Sequence, residues 1–207
     1  MIIVETPRLI LRVFCPEDLD AFAPIEADPE VMRFYASGPR PREWAERGVR
    51  YFMGLQDQHG FSPWAVIHKA NDCFLGFCGL LPQKIDGQDE VEVGYKLARA
   101  YWGQGLATEA ALACRDWGFT HLDVPRLISI IDPGNAASIR VAEKNGMTYD
   151  KNAVYDGKTC RIYAVRREVW ERGSVWPTPC RRIRLRLPVA CGLDNDARVR
   201  GSNLGLG

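Results

Sequence analysis

The chain has only three histidines, and none of its seven cysteines, at 15, 73, 78, 114, 160, 180 and 191, stands at CxxC spacing. That argues against a zinc or other Cys/His metal centre. The thiols are expected to be reduced and mostly buried in a cytoplasmic protein. No uninterrupted apolar run is long enough to span a bilayer, and the opening MIIVETPRLILR lacks the layout of a signal peptide. Internal repeats are absent as well. Net charge is nearly so: 27 Lys and Arg face 26 Asp and Glu in 207 residues. The balance hides an asymmetry, because residues 172–207 hold seven Arg and two Asp, a net of +5, whereas residues 1–171 hold 20 basic and 24 acidic residues, a net of −4. An acidic body without a basic face argues against a nucleic-acid partner. The tail, rich in Gly, Pro and Asn, is expected to be poorly ordered. A basic arm for RNA or an acidic partner is its other reading. What remains, residues 1–171, is enough for one core and one domain.

The pattern along that domain mixes two periods. RLILRVF (8–14) is β-rich, Pro16–Glu26 opens a helix on acidic first-turn residues Glu17 and Asp18, and a second helix is expected over Arg42–Gln58. Three β-like runs follow, Trp64–Lys69, Phe74–Pro82 and Val91–Leu97, with turn signals at Asn71-Asp72 and Asp86-Gly87. Then come a helix over Thr108–His121, a strand over Arg126–Ile131, a short helix after Asn135, and two strands around Asp156-Gly157. A long antiparallel meander flanked by helices predicts an α/β (α+β) sandwich.

Chemistry concentrates at YWGQGLATEA, residues 101–110. Glycines at 103 and 105 permit backbone shapes closed to other residues and let a ligand come close to the main chain. The helix that follows offers free N–H groups and a positive dipole end to a phosphate. The segment lacks the Lys-Ser/Thr of a nucleoside-triphosphate loop, and its spacing is not GxGxxG. A diphosphate held by main-chain amides fits; a glycine turn that only packs a helix on a strand is the structural alternative. About 30 residues on, DPGNAASIRVAEKNGMTY (132–149) reads as strand end, Asn135 N-cap, short helix with Ser138 in its first turn, and a Gly146 stop.

Together these segments resemble the GNAT N-acetyltransferases. The Gln/Arg-x-x-Gly-x-Gly/Ala pattern of that family matches at Gly105 and Ala107, and the Asn-x-x-Ser with a later Glu-Lys-x-Gly matches at 135–146. Trp102 stands where Gln or Arg is usual, as in the branch that includes the ribosomal-protein-alanine acetyltransferases. The resemblance covers roughly residues 1–170. It implies a mixed, largely antiparallel central sheet with helices on both faces, and acetyl-CoA as acyl donor without a metal. It also implies a cofactor site of Tyr95, Lys96 and Leu97 on a strand, Trp102, Gly103, Gln104, Gly105, Leu106, Ala107 and Thr108 on the loop, and Asn135, which is otherwise only a cap. Gly94 is expected to mark a bulge that opens the strand.

The implied reaction is direct acetyl transfer to a primary amine. An amine reaches a thioester mostly protonated, so a base is needed. The resemblance points to Glu92 in DEVEVGYKL. Strand alternation sets Glu92 opposite Val91 and Val93, so an ordinary solvent-facing carboxylate is the competing reading. Many members use a Tyr to support the leaving sulfur, but Val141–Asn145 has none, which leaves Ser138; it equally completes a helix start. Cys114 is expected to pack, not to carry acyl groups. The acceptor, a small-molecule amine or a protein N-terminus, would meet some of Phe34, Tyr35, Trp44, Tyr51, Phe52, Trp64 and Tyr155, and the acidic body favours a cation. A homodimer is left open. The rival function is a non-catalytic acyl-CoA-binding or sensing module; a structural protein without ligand comes after it.

Overall fold

The computed structural model describes residues 1–173. The expectation of a poorly ordered tail falls on residues that, apart from 172 and 173, lie outside this range. The element order is β1 (Ile2–Glu5), β2 (Leu9–Arg12), α1 (Leu19–Ala27), α2 (Pro29–Met32), α3 (Arg42–His59), β3 (Pro63–His68), β4 (Cys73–Ile85) and β5 (Gln88–Leu97). It continues with α4 (Leu106–His121), β6 (Arg126–Ile131), α5 (Ala136–Lys144), β7 (Thr148–Tyr155), β8 (Lys158–Arg166) and α6 (Arg167–Gly173). The sequence pattern missed β1, α2 and α6. At four to seven residues, each is too short for a period to register.

All eight strands form one sheet in the order β1-β2-β3-β4-β5-β6-β8-β7, antiparallel throughout except between β5 and β6. The turns are those the sequence announces: Asp72, Asp86 and Asp156 each take φ near +50° at the hairpin corners. Helices cover both faces. On one, α4 lays Leu106, Ala110, Cys114 and Phe119 on Leu80, Val91, Val93 and Leu97. On the other, α1 and α3 bring Phe22, Val49 and Phe52 against Ala65, Phe77 and Leu81. A chain of tilted and edge-on ring pairs, such as Phe14 with Phe22 at 5.6 Å and Phe52 with Phe77 at 5.2 Å, fills that second layer.

This double cover decides the fate of Glu92. The alternation is as read from the sequence, with Glu92 pointing away from Val91 and Val93. The opposite face is not solvent, however, because α1 and α3 lie over it, and Glu92 is 1% exposed.

β5 and β6 separate almost at once. Their one recorded pairing is Glu92 with Ile128, tied just beyond by Ser129 Oγ donating to the Val93 carbonyl at 2.8 Å. The expected bulge at Gly94 is not there: β4 and β5 keep straight register from Gly76/Leu97 to Ile85/Gln88. Gly94 instead provides space. A Cβ on it would lie 2.8 Å from Leu81 Cδ1 and 3.7 Å from the Glu92 carboxyl carbon.

Candidate functional site

The gap left by the parting strands is the centre of the site. Ala98 N–H bonds to Leu75 O at 2.8 Å, and alternation along an antiparallel ladder then turns the N–H and C=O of Tyr95 and Leu97 away from β4, toward the gap. Lys96 has the opposite phase and sends its main-chain groups to β4. One of the exposed carbonyls is occupied: Trp102 Nε1 donates to Leu97 O at 2.7 Å. The main-chain groups of Tyr95 and the Leu97 N–H stay available to a ligand.

At the end of β5 the chain turns through the glycine loop. Gly103 and Gly105 have φ of 76° and 77°, in the left-handed region that a side chain resists. Around the Cβ position of Gly103 nothing lies within 4 Å. Gly105 is the N-cap of α4, so the amides of the first helical turn, from Leu106 on, point out of the loop without intrahelical partners. An open concavity lined by free amides and the positive end of a 16-residue helix suits a diphosphate in shape and charge.

Two distant residues, Thr6 and Arg8, hold this loop. Arg8 donates from Nη1 to Gln104 O at 2.9 Å, from Nε to Glu109 Oε2 at 2.6 Å, and through its own amide to Glu109 Oε1. Thr6 Oγ1 adds a bond to the same carboxylate at 2.6 Å. Partial burial pulls the Glu109 carboxyl upward, but the Thr6 and Arg8 hydrogen bonds outweigh it and set the net shift downward. The first turn of α4 is therefore fastened to the β1–β2 hairpin about a hundred residues earlier, a tie that leaves no local mark in the sequence. Gln104 takes part through its carbonyl, and its side-chain amide turns back to Ala100 O at 3.0 Å.

A cavity of about 380 Å³ runs along these groups. Its walls include Tyr95, Lys96, Leu97, Trp102, Gly103, Gly105, Leu106, Ala107 and Thr108, together with Asn135 and Ser138 from the start of α5. Of the site residues named from sequence, Gln104 and Glu92 do not line it. Basic side chains unsuspected from sequence, Arg33, Arg140 and Lys144, stand at its wall. Asn135 Oδ1 accepts from Ser138 N–H at 3.1 Å, so the cap is formed.

Glu92 lies in a smaller adjoining space with Gly94, Ser129 and Ile130, and Tyr35, Tyr95 and Ser138 line both. Its carboxylate accepts from Gln83 Nε2 at 2.6 Å and from the Ile130 amide. Gln83 in turn accepts from the Tyr155 hydroxyl at 3.2 Å. Burial drives the Glu92 carboxyl up to about 8 in spite of these donors. Such a group is mostly protonated at pH 7 and, in its ionised form, is a stronger proton acceptor than an ordinary carboxylate, which is the property a general base needs. Gln83 was missed, although Leu81 pairs with Glu92 and Gln83 lies two residues on, on the same face.

Lys96 does not reach the cavity as a free cation. Its ammonium is buried, bonded to Glu26 Oε1 at 2.6 Å and set 3.9 Å from the centre of the Tyr35 ring. Arg40 flanks the same carboxylate at 3.8 Å. Of the aromatic residues considered for an acceptor, Phe52 and Trp64 are core residues, 1% and 0% exposed. Phe34 and Tyr35 line the large cavity, and Tyr51 is exposed on α3. Cys114 is buried with its sulfur 3.5 Å from that of Cys78. Among the described residues no cluster of three or more His, Cys, Asp or Glu is placed to hold a metal ion, and no helix is long and apolar enough to cross a membrane.

Residues 8–148 match the model of a protein family described as the acetyltransferase (GNAT) domain. The chain is 41% identical to the protein YkkB of Bacillus subtilis over 161 residues, which cover 76% of this chain and 92% of that one. It is 30% identical to the uncharacterized N-acetyltransferase p20 of Bacillus licheniformis, over 72% of this chain and 83% of the relative. The crystal structure of a GNAT-family acetyltransferase from Bacillus anthracis superimposes with a TM-score of 0.68 at 26% identity, covering 81% of this chain and 99% of that one.

Proposed function

Because the chain belongs to the GNAT acetyltransferase family, we propose that it moves the acetyl group of acetyl-CoA directly to a primary amine, with Glu92 as base and the loop 102–108 as diphosphate cradle. The observation that carries the reading is that two neighbouring spaces share walls: the cavity along the amide-lined loop and the Tyr95–Leu97 edge has Tyr35, Tyr95 and Ser138 in common with the small pocket that holds Glu92.

Bound acetyl-CoA supplies an acetyl carbon activated by its thioester. The chain supplies the rest. Free amides at the start of α4 hold the diphosphate, Tyr95 and Leu97 present main-chain groups to the extended arm, and Asn135 and Ser138 close the other side. Glu92, reached through the gap, removes the proton the amine must lose, directly or through one water. No covalent acyl-enzyme is needed, because holding amine and thioester together contributes about 7–11 kcal/mol in favourable cases.

The acceptor is a small-molecule amine or a protein N-terminus, and the acidic body favours a cationic one. A cytoplasmic setting belongs to this proposal and accords with the five free cysteines among the described residues. Calorimetric titration of acetyl-CoA into the parent and Gly105→Glu proteins, followed by a panel of polyamines and peptide N-termini, tests it. Binding by the parent, its loss in the variant and acetylation of at least one amine are expected. Binding without transfer to any amine would instead favour an acyl-CoA sensing module.

A further inference from the structure

On the side of Glu92 away from the cofactor cavity, a chain of three polar side chains ends on the carboxylate. Tyr155 of β7 donates from its hydroxyl to Gln83 Oε1 at 3.2 Å, and Gln83 of β4 donates from Nε2 to Glu92 Oε2 at 2.6 Å. Neither Gln83 nor Tyr155 lines the cofactor cavity. Acetyl transfer needs Glu92 as base, and the other two members have no part in it by contact with acetyl-CoA.

Chemistry fixes the direction of both bonds. A carboxylate only accepts, so the Gln83 NH2 group faces Glu92 and its carbonyl oxygen is left to Tyr155, which donates. Ionic partners do not take over this hold. Lys96, on the same face of β5, turns its ammonium to Glu26 at 2.6 Å, and Glu90 on that face is engaged by Arg126. The groups that do face Glu92 from the elements around it are Tyr35 after α2, Tyr51 of α3, Tyr95 of β5, Tyr155 of β7 and Cys160 of β8. Burial first, with the Glu92 charge contributing in each, moves their ionisation upward, so all five stay neutral where Glu92 titrates.

The two carboxyl oxygens are therefore not equivalent. Oε2 is taken by Gln83. Oε1 lies on the side of Gly94, 3.8 Å from where a Cβ on that residue would stand, and Gly94 lines the small pocket next to the cofactor cavity. An oxygen that already receives an N–H is the poorer place for a proton. We infer that Gln83 is a positioning residue, held in one orientation by Tyr155, which occupies Glu92 Oε2 and so confines the exchangeable proton of the base to Oε1. The inference rests on the acetyl-transfer reading above. The proton lost by the amine nitrogen passes to Oε1 of the ionised carboxylate and from there to water, while Gln83 and Tyr155 keep all of theirs.

The test follows the Glu92 carboxyl itself, by NMR of protein carrying 13C at the glutamate side-chain carboxyl and free of CoA, with Glu92→Gln assigning the signal. The pH profile of kcat/KM is measured alongside. Gln83→Met keeps the length of the side chain and removes both hydrogen bonds; Tyr155→Phe keeps the ring. Loss of one hydrogen bond to a charged oxygen is expected to raise the Glu92 titration in Gln83→Met by about one pH unit from its place near 8. At pH 7 kcat/KM then falls about ten-fold, the profiles approach each other at high pH, and KM for acetyl-CoA stays within about two-fold. Tyr155→Phe is expected to shift the titration in the same direction by about half as much, and to add nothing in the Gln83→Met background. An unmoved carboxyl titration in Gln83→Met overturns the inference, and so does a kcat/KM lowered equally at every pH, which is what a merely structural role would give. A full Tyr155→Phe shift in the Gln83→Met background overturns the relay, because Tyr155 would then act on Glu92 directly. Absence of acetyl transfer by the parent is read separately from the carboxyl titration; it removes the function proposed above and this inference with it.

Discussion

The indole N–H of Trp102 donates to the main-chain carbonyl of Leu97 at 2.7 Å, and so ties the glycine loop to the end of the strand that precedes it. The sequence marks Trp102 as a departure from the usual Gln or Arg. Its use is mechanical: it satisfies a carbonyl on the open edge of β5 and sets where the loop begins.

Trp102→Phe keeps the ring and removes the donor. A net hydrogen bond of about 0.5–1.5 kcal/mol corresponds to roughly a two- to ten-fold weaker affinity for acetyl-CoA, with little effect on unfolding. Calorimetry checks this, and unaltered affinity would mean that the loop holds its shape without the bond.

Arg8→Ala removes two side-chain bonds to Gln104 O and Glu109 and leaves the fold's core untouched. The expected result is a more mobile loop, faster amide hydrogen exchange at residues 103–108, and acetyl-CoA affinity reduced about ten-fold. Exchange rates equal to the parent's would show that the hairpin does not restrain the loop.

For Glu92 the sign of the pH effect follows from burial. The folded carboxyl titrates near 8 and the unfolded one near 4.5, so the folded chain retains a proton that the unfolded chain has released. Below about 4.5 there is no penalty, and stability is lost as pH rises from there toward 8. Glu92→Gln is therefore expected to raise the melting temperature at pH 8 and leave it unchanged at pH 4. The same variant should lower kcat/KM by about 10²-fold or more and abolish the rise in kcat/KM as pH increases through about 8. An equal change in melting temperature at both pH values would contradict the assignment.

The Lys96–Glu26 pair makes a separate point about stability. Glu26→Ala leaves the Lys96 and Arg40 charges buried near each other, and breaking such a pair costs about 3–5 kcal/mol. Denaturant unfolding measures the loss; a change under 1 kcal/mol would show that the cluster is not a structural anchor.

Cys114 and Cys78 are buried in mutual contact, and burial pushes the Cys114 thiol well up, which keeps it uncharged. Neither is expected to react with a thiol reagent in the folded protein on the time scale of minutes. Rapid labelling of Cys114 would reopen a covalent route for the acetyl group.

The readable parts of this protein were those encoded locally. The Asp-Gly corners, the period of α3 and α4, the glycine loop and the Asn135 cap each depend on residues a few positions apart, where backbone sterics and capping act. Glu92 was singled out by its strand and its family resemblance. Its burial was not, because a strand's alternation tells which residues share a face but not what covers that face. Gly94 misled for a related reason: a glycine in a strand signals either a bend or a need for space, and only the approach of Leu81 identifies it as space.

By itself, then, the sequence determined the order of the longer elements, the glycine turn before α4 and the class of chemistry such a turn suits. Tertiary structure decided the electrostatics and the meeting points. It placed α1 and α3 over Glu92 and raised its pKa, paired Lys96 with Glu26, fastened the loop to Arg8, and brought Tyr35 to the wall shared by the two spaces. Those outcomes depend on contacts between residues about 30 to 100 positions apart and on the exclusion of water between layers. No window of sequence contains either one.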